Sequence, residues 1–482
     1  MSARKSSSSK RMHPYLLVAG VMAAAFLVLG SSGVSRQGLR GVVQFGSERL
    51  IAWEPLPELS GEMCEVVPAS AGEEAMFALA LTPPTAATHP ADGPPPRPPE
   101  AVRQAVAKRQ PLTNVSDPSY AYSGIVVDPI RNEVILSEEN LSKIVVYDRL
   151  TNTPPSATMS EPKRVIGGEE SFLEFTCAVY VDPPTGDIYA VNNDTMDWIP
   201  VFGREQQGNV APKRKLYAPH TAFGIVADEQ TQEIFLTVQD DNAVVVFPKQ
   251  AKENDKANRV LQGRDTLLAD PHGITLDPKR GEIFVTNWGS LNERPDYTPG
   301  TGGGARYGAG RGNRTDLPVG STRAYPASGR IIPPSITVYP KDAVGNVAPR
   351  RVITGPKTQL DWPTSIAVHP ERGEIFVAND TGDSITVYPA DASGDVAPIR
   401  VIRGPRSLVK NPTGVALDLV NNELWVANFG NHTATVYPVN ASGDAAPKRV
   451  IRSAPLQQPA PMLGNPHTIA YDSKRDEILV TN

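Results

Sequence analysis

The sequence predicts an all-β fold, a β-propeller of four-stranded antiparallel blades, on three observations. The first is texture: apolar runs of about four to six residues, rich in Val, Ile, Phe and Tyr and bounded by Gly, Pro, Asn or Asp, read as short buried strands. The second is recurrence. Residues 362–404 are the cleanest unit, with four such runs making one meander, and the unit repeats to the last residue. The third is physical: a small sheet with two apolar faces can bury neither alone, so copies must stack face to face around an axis.

The Asp turn that follows each first strand sets the register. It falls at Asp128, Asp182, Asp228, Asp277, His369, Asp418 and Asp472, at spacings of 54, 46, 49, 92, 49 and 54 residues. Six repeats carry four strands, and the last stops after two, at Asn482. The expectation is seven blades, with truncation as the other account of that half-repeat.

Ahead of the repeats the chain changes character. Residues 1–13 carry Arg4, Lys5, Lys10 and Arg11, and residues 14–35 hold no charge. That length suits a membrane helix with its N-terminus in the cytoplasm, which puts everything after residue 35 in the cell envelope, outside the membrane. Gly30, Ser31 and Ser32 equally suit signal cleavage, so residues 1–35 are a signal anchor or a signal peptide. Residues 36–53 hold a strand hairpin, 42–45 with 49–53, which in a closed ring can supply the outer strands missing from the last repeat. Residues 54–114 turn to Pro, Ala, Glu and Thr around Pro94-Pro95-Pro96-Arg97-Pro98-Pro99, the composition of an extended tether, with one short helix expected over 100–110. The propeller then occupies 115–482, interrupted by an insertion at 291–334.

Composition excludes some partners. A net charge of −5 without long runs gives nucleic acid no concentrated basic surface to bind. Two cysteines, Cys64 and Cys177, are too few for a disulfide framework, and whether they pair is not legible.

The repeats Gly273-Ile-Thr-Leu-Asp-Pro-Lys-Arg-Gly-Glu-Ile-Phe-Val-Thr-Asn287 and Gly414-Val-Ala-Leu-Asp418, followed by Glu423-Leu-Trp-Val-Ala-Asn428, resemble the NHL and YVTN families of bacterial propeller repeats. The resemblance covers about three quarters of the chain, from about residue 121. It implies the fold and leaves the activity open, since these families include binding scaffolds, lactonase-like and gluconolactonase-like hydrolases, metal-dependent streptogramin lyases and peptidyl amidating lyases.

Positions shared by every blade are expected to serve blade geometry, and departures to mark any site. Asp turns bond their own backbone, glycines accept positive φ, and Pro212, Pro349, Pro398 and Pro447 set the approach to the outer strand. Asn192, Asn287, Asn379, Asn428 and Asn482 close the second strands, as turn residues or as a ring of ligand-binding amides. The opening residues of the first strands vary: Ser123, Cys177, Phe223, His272, Thr364, Thr413 and His467. They lie next to the axis, with Trp288 and Phe429 on loops of the same face. His272 and His467 are the catalytic or metal candidates, because imidazole binds metal or moves a proton near neutrality. His220 is out of register. Glu138 replaces Asn in the first blade and Glu139 follows it, a carboxylate pair on the same face as His272; Glu138 with Asn192 and Asn482 is the nearest match to the divalent-metal site that the gluconolactonase-like resemblance implies. The insertion carries Gly302-Gly-Gly-Ala-Arg-Tyr-Gly-Ala-Gly-Arg-Gly312 and is expected on the same face, as a lid, a contact arm or a disordered loop.

Two function classes follow. One is a non-catalytic envelope propeller presenting a disc face to a protein or glycan partner, attached to the membrane by its N-terminal helix if that is retained. The other is a metal-dependent lactonase-like hydrolase or lyase at the channel mouth.

Overall fold

The computed structural model describes residues 42–45, 49–52, 99–101, 104, 108, 117–193, 196–291, 330–461, 469–472 and 477–480. The chain divides into two compact units, 1–110 and 111–482. The expected anchor over 1–35, Cys64, the polyproline run, the Gly-rich core of the insertion, His467 and Asn482 lie outside the described residues. Among the described residues no helix is long and apolar enough to cross a membrane.

In the first unit, Val42–Phe45 pairs antiparallel with Arg49–Ala52 as a two-stranded sheet. The expected hairpin is present, and among the described residues its strands pair with each other.

The second unit contains six four-stranded antiparallel sheets, each a meander. The first blade shows the pattern. Tyr122–Asp128, Glu133–Glu138, Lys143–Asp148 and Arg164–Gly167 follow one another from the axis outwards. Its register pairs Asp128 with Glu133 at the Asp turn and Tyr122 with Glu138 at the other end. The start of the first strand and the turn after the second therefore share one side of the disc, here called the mouth face. In the turns, the Asp128 carboxylate accepts the backbone N–H groups of Ile130 and Arg131 at 3.0 and 3.1 Å, and Asp277 and Asp418 do the same in their blades.

The core lies between blades. The six large clusters each join one face of a sheet to the next sheet, as Phe376, Ile385 and Val387 of the fifth blade join Val426 and Tyr437 of the sixth. Each fully buried side chain of this size contributes roughly 1.5–3 kcal/mol. In five blades a Glu at the start of the second strand bonds an Arg that opens the fourth, as Glu133 with Arg164, Glu374 with Arg400 and Glu423 with Arg449.

The ring closes with six blades, which corrects the expected seven. Trp425 and Val436 of the sixth blade share a core cluster with Tyr122, Leu136 and Tyr147 of the first. Across the same seam, Thr413 Oγ1 donates to the Ser123 carbonyl at 3.0 Å, and Arg149 reaches Glu423 at 3.0 Å. The seventh repeat, Ile469–Asp472 with Glu477–Val480, forms a two-stranded sheet of its own. Its letters match the blades because they encode a strand pair. Membership of the ring is decided instead by the inner strand Pro412–Asp418 seating directly on Tyr122–Asp128.

Close approach at the axis depends on glycine. A Cβ on Gly273 would stand 2.7 Å from the Thr364 carbonyl oxygen, and one on Gly414 would stand 2.6 Å from that of Ser123. Gly124 and Gly224 are equally crowded by the inner strand of the following blade. The requirement is for space, not for positive φ. Outside, a loop of each later blade makes a parallel bridge to the outer strand of its predecessor, as in Ile166 with Gly208 and Ile402 with Gly443.

Candidate functional site

The inner strands leave an axial cavity of only about 80 Å³, lined by Cys177, Phe223, Thr364, Thr413 and the axial glycines. Small-molecule sites usually enclose about 300–1,000 Å³, so the axis admits little more than water. The variable residues at the first-strand openings and second-strand ends lie on the mouth face.

The Asn residues that end the second strands are staples. Asn379 Oδ1 accepts the Asp361 N–H at 3.3 Å, and its Nδ2 donates to the Gln359 carbonyl at 3.0 Å. Asn192, Asn287 and Asn428 each receive the N–H eighteen residues earlier in the same way. They tie the incoming chain to the sheet and offer no ring of free amides. Glu138 does the same work in the first blade, accepting the N–H groups of Ala121 at 3.3 Å, Asn140 at 2.9 Å and Leu141 at 2.5 Å. Burial pushes its carboxyl up to about 7 against those donors.

The residue after each second strand differs from blade to blade: Glu139, Asn193, Gln239, Trp288, Asp380 and Phe429, the third blade ending its strand on Val238 without a staple. Glu139 hydrogen-bonds Cys177 and Ser123, and burial together with the nearby Glu138 and Asp380 charges lifts it to about 8. Ser123 also bonds Ser137 Oγ and the Thr176 carbonyl, both at 3.0 Å. Asn193 Nδ2 donates to Gln239 Oε1 at 2.6 Å.

His272 is fully buried, and both ring nitrogens are taken. Nδ1 lies 2.9 Å from the Asp270 carbonyl, an acceptor, so it carries the proton. Nε2 therefore accepts from Gln239 Nε2 at 2.7 Å. Burial drives the ring down to about 3, so it is neutral. Both nitrogens of the neutral ring are thus engaged within the fold. Thr364 is buried too, its hydroxyl donating to the Trp362 carbonyl at 3.1 Å. Phe429 is 4% exposed and packs with Ala121 and Ala460, so it presents nothing. Among the described residues no group of three His, Cys, Asp or Glu can hold a metal.

Aromatic rings run along the mouth face through three blades. Phe223 lies 4.3 Å from His272, His272 stacks on Trp288 at 3.6 Å and 14°, and Trp288 lies 4.4 Å from Trp362. Trp362 ends the run and is 47% exposed. Sequence reading missed it. The available signal was a Trp where other blades place Asp270 or Asn411. Beside it, Asp380 is lifted to about 6 by burial and by the neighbouring Asp383 and Asp361 charges.

No family model matches this chain, and no curated protein matches it. Among solved structures, it is similar to hydrazine synthase of Kuenenia stuttgartiensis, with a TM-score of 0.43 and 14% identity over 68% of this chain and 99% of that one. It is also similar to a functionally unknown protein from Desulfotomaculum acetoxidans, with a TM-score of 0.42 and 12% identity over 71% of this chain and 89% of that one.

Proposed function

We propose that the propeller is a non-catalytic binding module of the NHL/YVTN type, held in the cell envelope outside the membrane, whose mouth face takes a protein or glycan partner. One observation carries the reading: the side chains best suited to chemistry are consumed by the fold, while an aromatic surface stands open. His272 has both nitrogens bonded and Glu138 accepts three backbone amides, whereas Trp362 is half exposed to solvent. Exposed aromatic surface beside polar groups is typical of interaction sites. The address outside the membrane rests on the basic flank and the uncharged residues 14–35.

The test is retention of the full chain by washed envelope fragments, comparing Trp288→Ala on the mouth face with Ile130→Asp on the opposite face, where Ile130 is 71% exposed. Loss of at least about tenfold in affinity with the first and none with the second supports the reading. Equal behaviour of the two variants overturns it. A hydrolase or lyase is favoured by one observation, the Glu139 carboxyl lifted to about 8 beside Cys177, since groups near neutrality suit proton transfer. Stoichiometric divalent metal in the purified chain, lost in Glu138→Ala, would favour that enzyme instead.

A further inference from the structure

We propose that Trp362, supported by Trp288 and Asp380, is a platform for a neutral sugar ring, so that the partner of the mouth face is a glycan. The inference rests on the binding reading above and names its ligand class.

The run of four rings ends at Trp362, the residue of the run with 47% of its surface open to solvent. The first three rings are locked against each other by His272, and Trp288 and Trp362 cover one another at 4.4 Å and 33°. Such a pair makes a shallow two-ring platform tilted by 33°, not a cage around a point charge. A pyranose has an apolar C–H face that fits a flat, electron-rich ring.

The backbone under Trp362, like that under Phe175 and Thr221, carries a conformational cost, and at Trp362 burial meets little of it. The residue before the first strand adopts positive φ in five blades: Phe175 at 42°, Thr221 at 60°, Asp270 at 56°, Trp362 at 48° and Asn411 at 40°. Asp and Asn tolerate that region, whereas a bulky residue there is an outlier whose strain must be offset elsewhere. Trp362 occupies the position with its side chain half in solvent, so burial supplies little of the offset.

Two polar atoms beside the platform have no partner. Trp288 Nε1, a donor, and Asp380 Oδ1, an acceptor, are both buried and unbonded. Each belongs to a residue that touches Trp362: Trp288 through the ring contact, and Asp380 through its N–H to the Trp362 carbonyl at 3.1 Å. Asp380 is 4% exposed, and a buried polar atom left unmet costs about 1–3 kcal/mol. Sugar hydroxyls both donate and accept, so a stacked sugar can partner either atom once a local side-chain shift uncovers it. A lysine or arginine side chain would answer Asp380 and leave Trp288 Nε1 unmet.

The experiment titrates the full chain with soluble tetrasaccharides of glucose and of N-acetylglucosamine, and separately with tetralysine, following intrinsic tryptophan fluorescence and heat. The expected result is saturable binding of at least one tetrasaccharide. Trp362→Asn, a residue suited to the local φ, should weaken it at least about tenfold with the melting temperature unchanged or higher. Trp288→Phe keeps a ring and removes the donor, and should weaken binding about threefold to tenfold. Failure of the wild-type chain to bind either sugar, wild-type affinity in Trp362→Asn, or binding of tetralysine in place of the sugars would each overturn the glycan assignment. If sugars fail while mouth-face variants still lose envelope retention, the assignment falls and the binding reading stands. If both fail, both fall.

Discussion

Substituting Gly273 by Ala tests the six-fold closure where backbone faces backbone at the axis. The new methyl would sit 2.7 Å from the Thr364 carbonyl oxygen, 2.7 Å from Ser365 Cα and 3.0 Å from Ile366 N. Carbon atoms rest at roughly 3.5–4.0 Å, so relief requires the fourth and fifth blades to part by about 0.7 Å or more at the axis. All three opposing atoms are backbone, and no rotamer change can absorb the overlap. Overpacking of this kind costs about 1–3 kcal/mol. Gly273 is not in the positive-φ region, so Ala also stiffens the unfolded chain, a gain of about 0.4–1 kcal/mol. The expected net is a loss of about 1–2 kcal/mol in urea unfolding at unchanged slope. The second blade supplies a control, because Ala178 already holds a Cβ at the equivalent position. Ala178→Gly should cost only about 0.5–1 kcal/mol, from chain entropy. If Gly273→Ala proves neutral or stabilising, the inner strands are not in backbone contact, the ring is wider than six blades allow, and the closure described above is wrong.

Other predictions concern charge and the buried hydroxyls. Arg400 and Arg372 hold Glu374 down to about 2 although burial opposes them, while in Glu133 and Glu423 burial alone would raise a carboxyl that the bonds from Arg164 and Arg449 bring down to about 2. Depressed carboxyls contribute stability that is complete above about pH 4.5 and lost as pH falls towards 2, so thermal midpoints should drop through that window, and less in Glu374→Gln. At the mouth the sign reverses. Glu138 near 7, Glu139 near 8 and Asp380 near 6 bind protons more tightly folded than unfolded, so stability should decline as pH rises from about 5 to 8. Glu138→Asn, the residue other blades use, should flatten that decline; a slope equal to wild type would refute the assignment. Tyr388 donates its hydroxyl to the Thr358 carbonyl inside the core, so Tyr388→Phe should cost about 1–2 kcal/mol, and a change below about 0.5 kcal/mol would show the bond to be unimportant.

What the sequence made legible was what is encoded locally. The Asp turns, the four strands per blade and the Asn staples recur at fixed offsets, and each is satisfied within its own blade, as with Asn379 and the Gln359 carbonyl. The number of blades is not local. It depends on Thr413 meeting the Ser123 carbonyl across 290 residues of chain, and nothing in the last half-repeat reports that the ring is already shut. The fate of His272 was hidden for the same reason: the amide that takes its second nitrogen is Gln239, 33 residues earlier in another blade. The axial glycines looked like turn residues until the neighbouring backbone was in place. Trp362 stood in the sequence as one aromatic among many. Only its stacking on Trp288 and its half-exposed ring single it out.

The clasp at the seam has a consequence for biogenesis. The Thr153 N–H bonds the Val450 carbonyl at 2.7 Å and the Ser160 N–H bonds that of Arg452 at 3.0 Å, so the loop between the third and fourth strands of the first blade waits for the last strand of the sixth. Contacts spanning nearly three hundred residues form slowly. While the chain is being made, each finished sheet can dock on its predecessor, but the first keeps one side uncovered until residue 452 has left the ribosome. The growing chain is therefore at its most adhesive just before it is able to close upon itself, and any chaperone serving it would have to shield the earliest blade the longest.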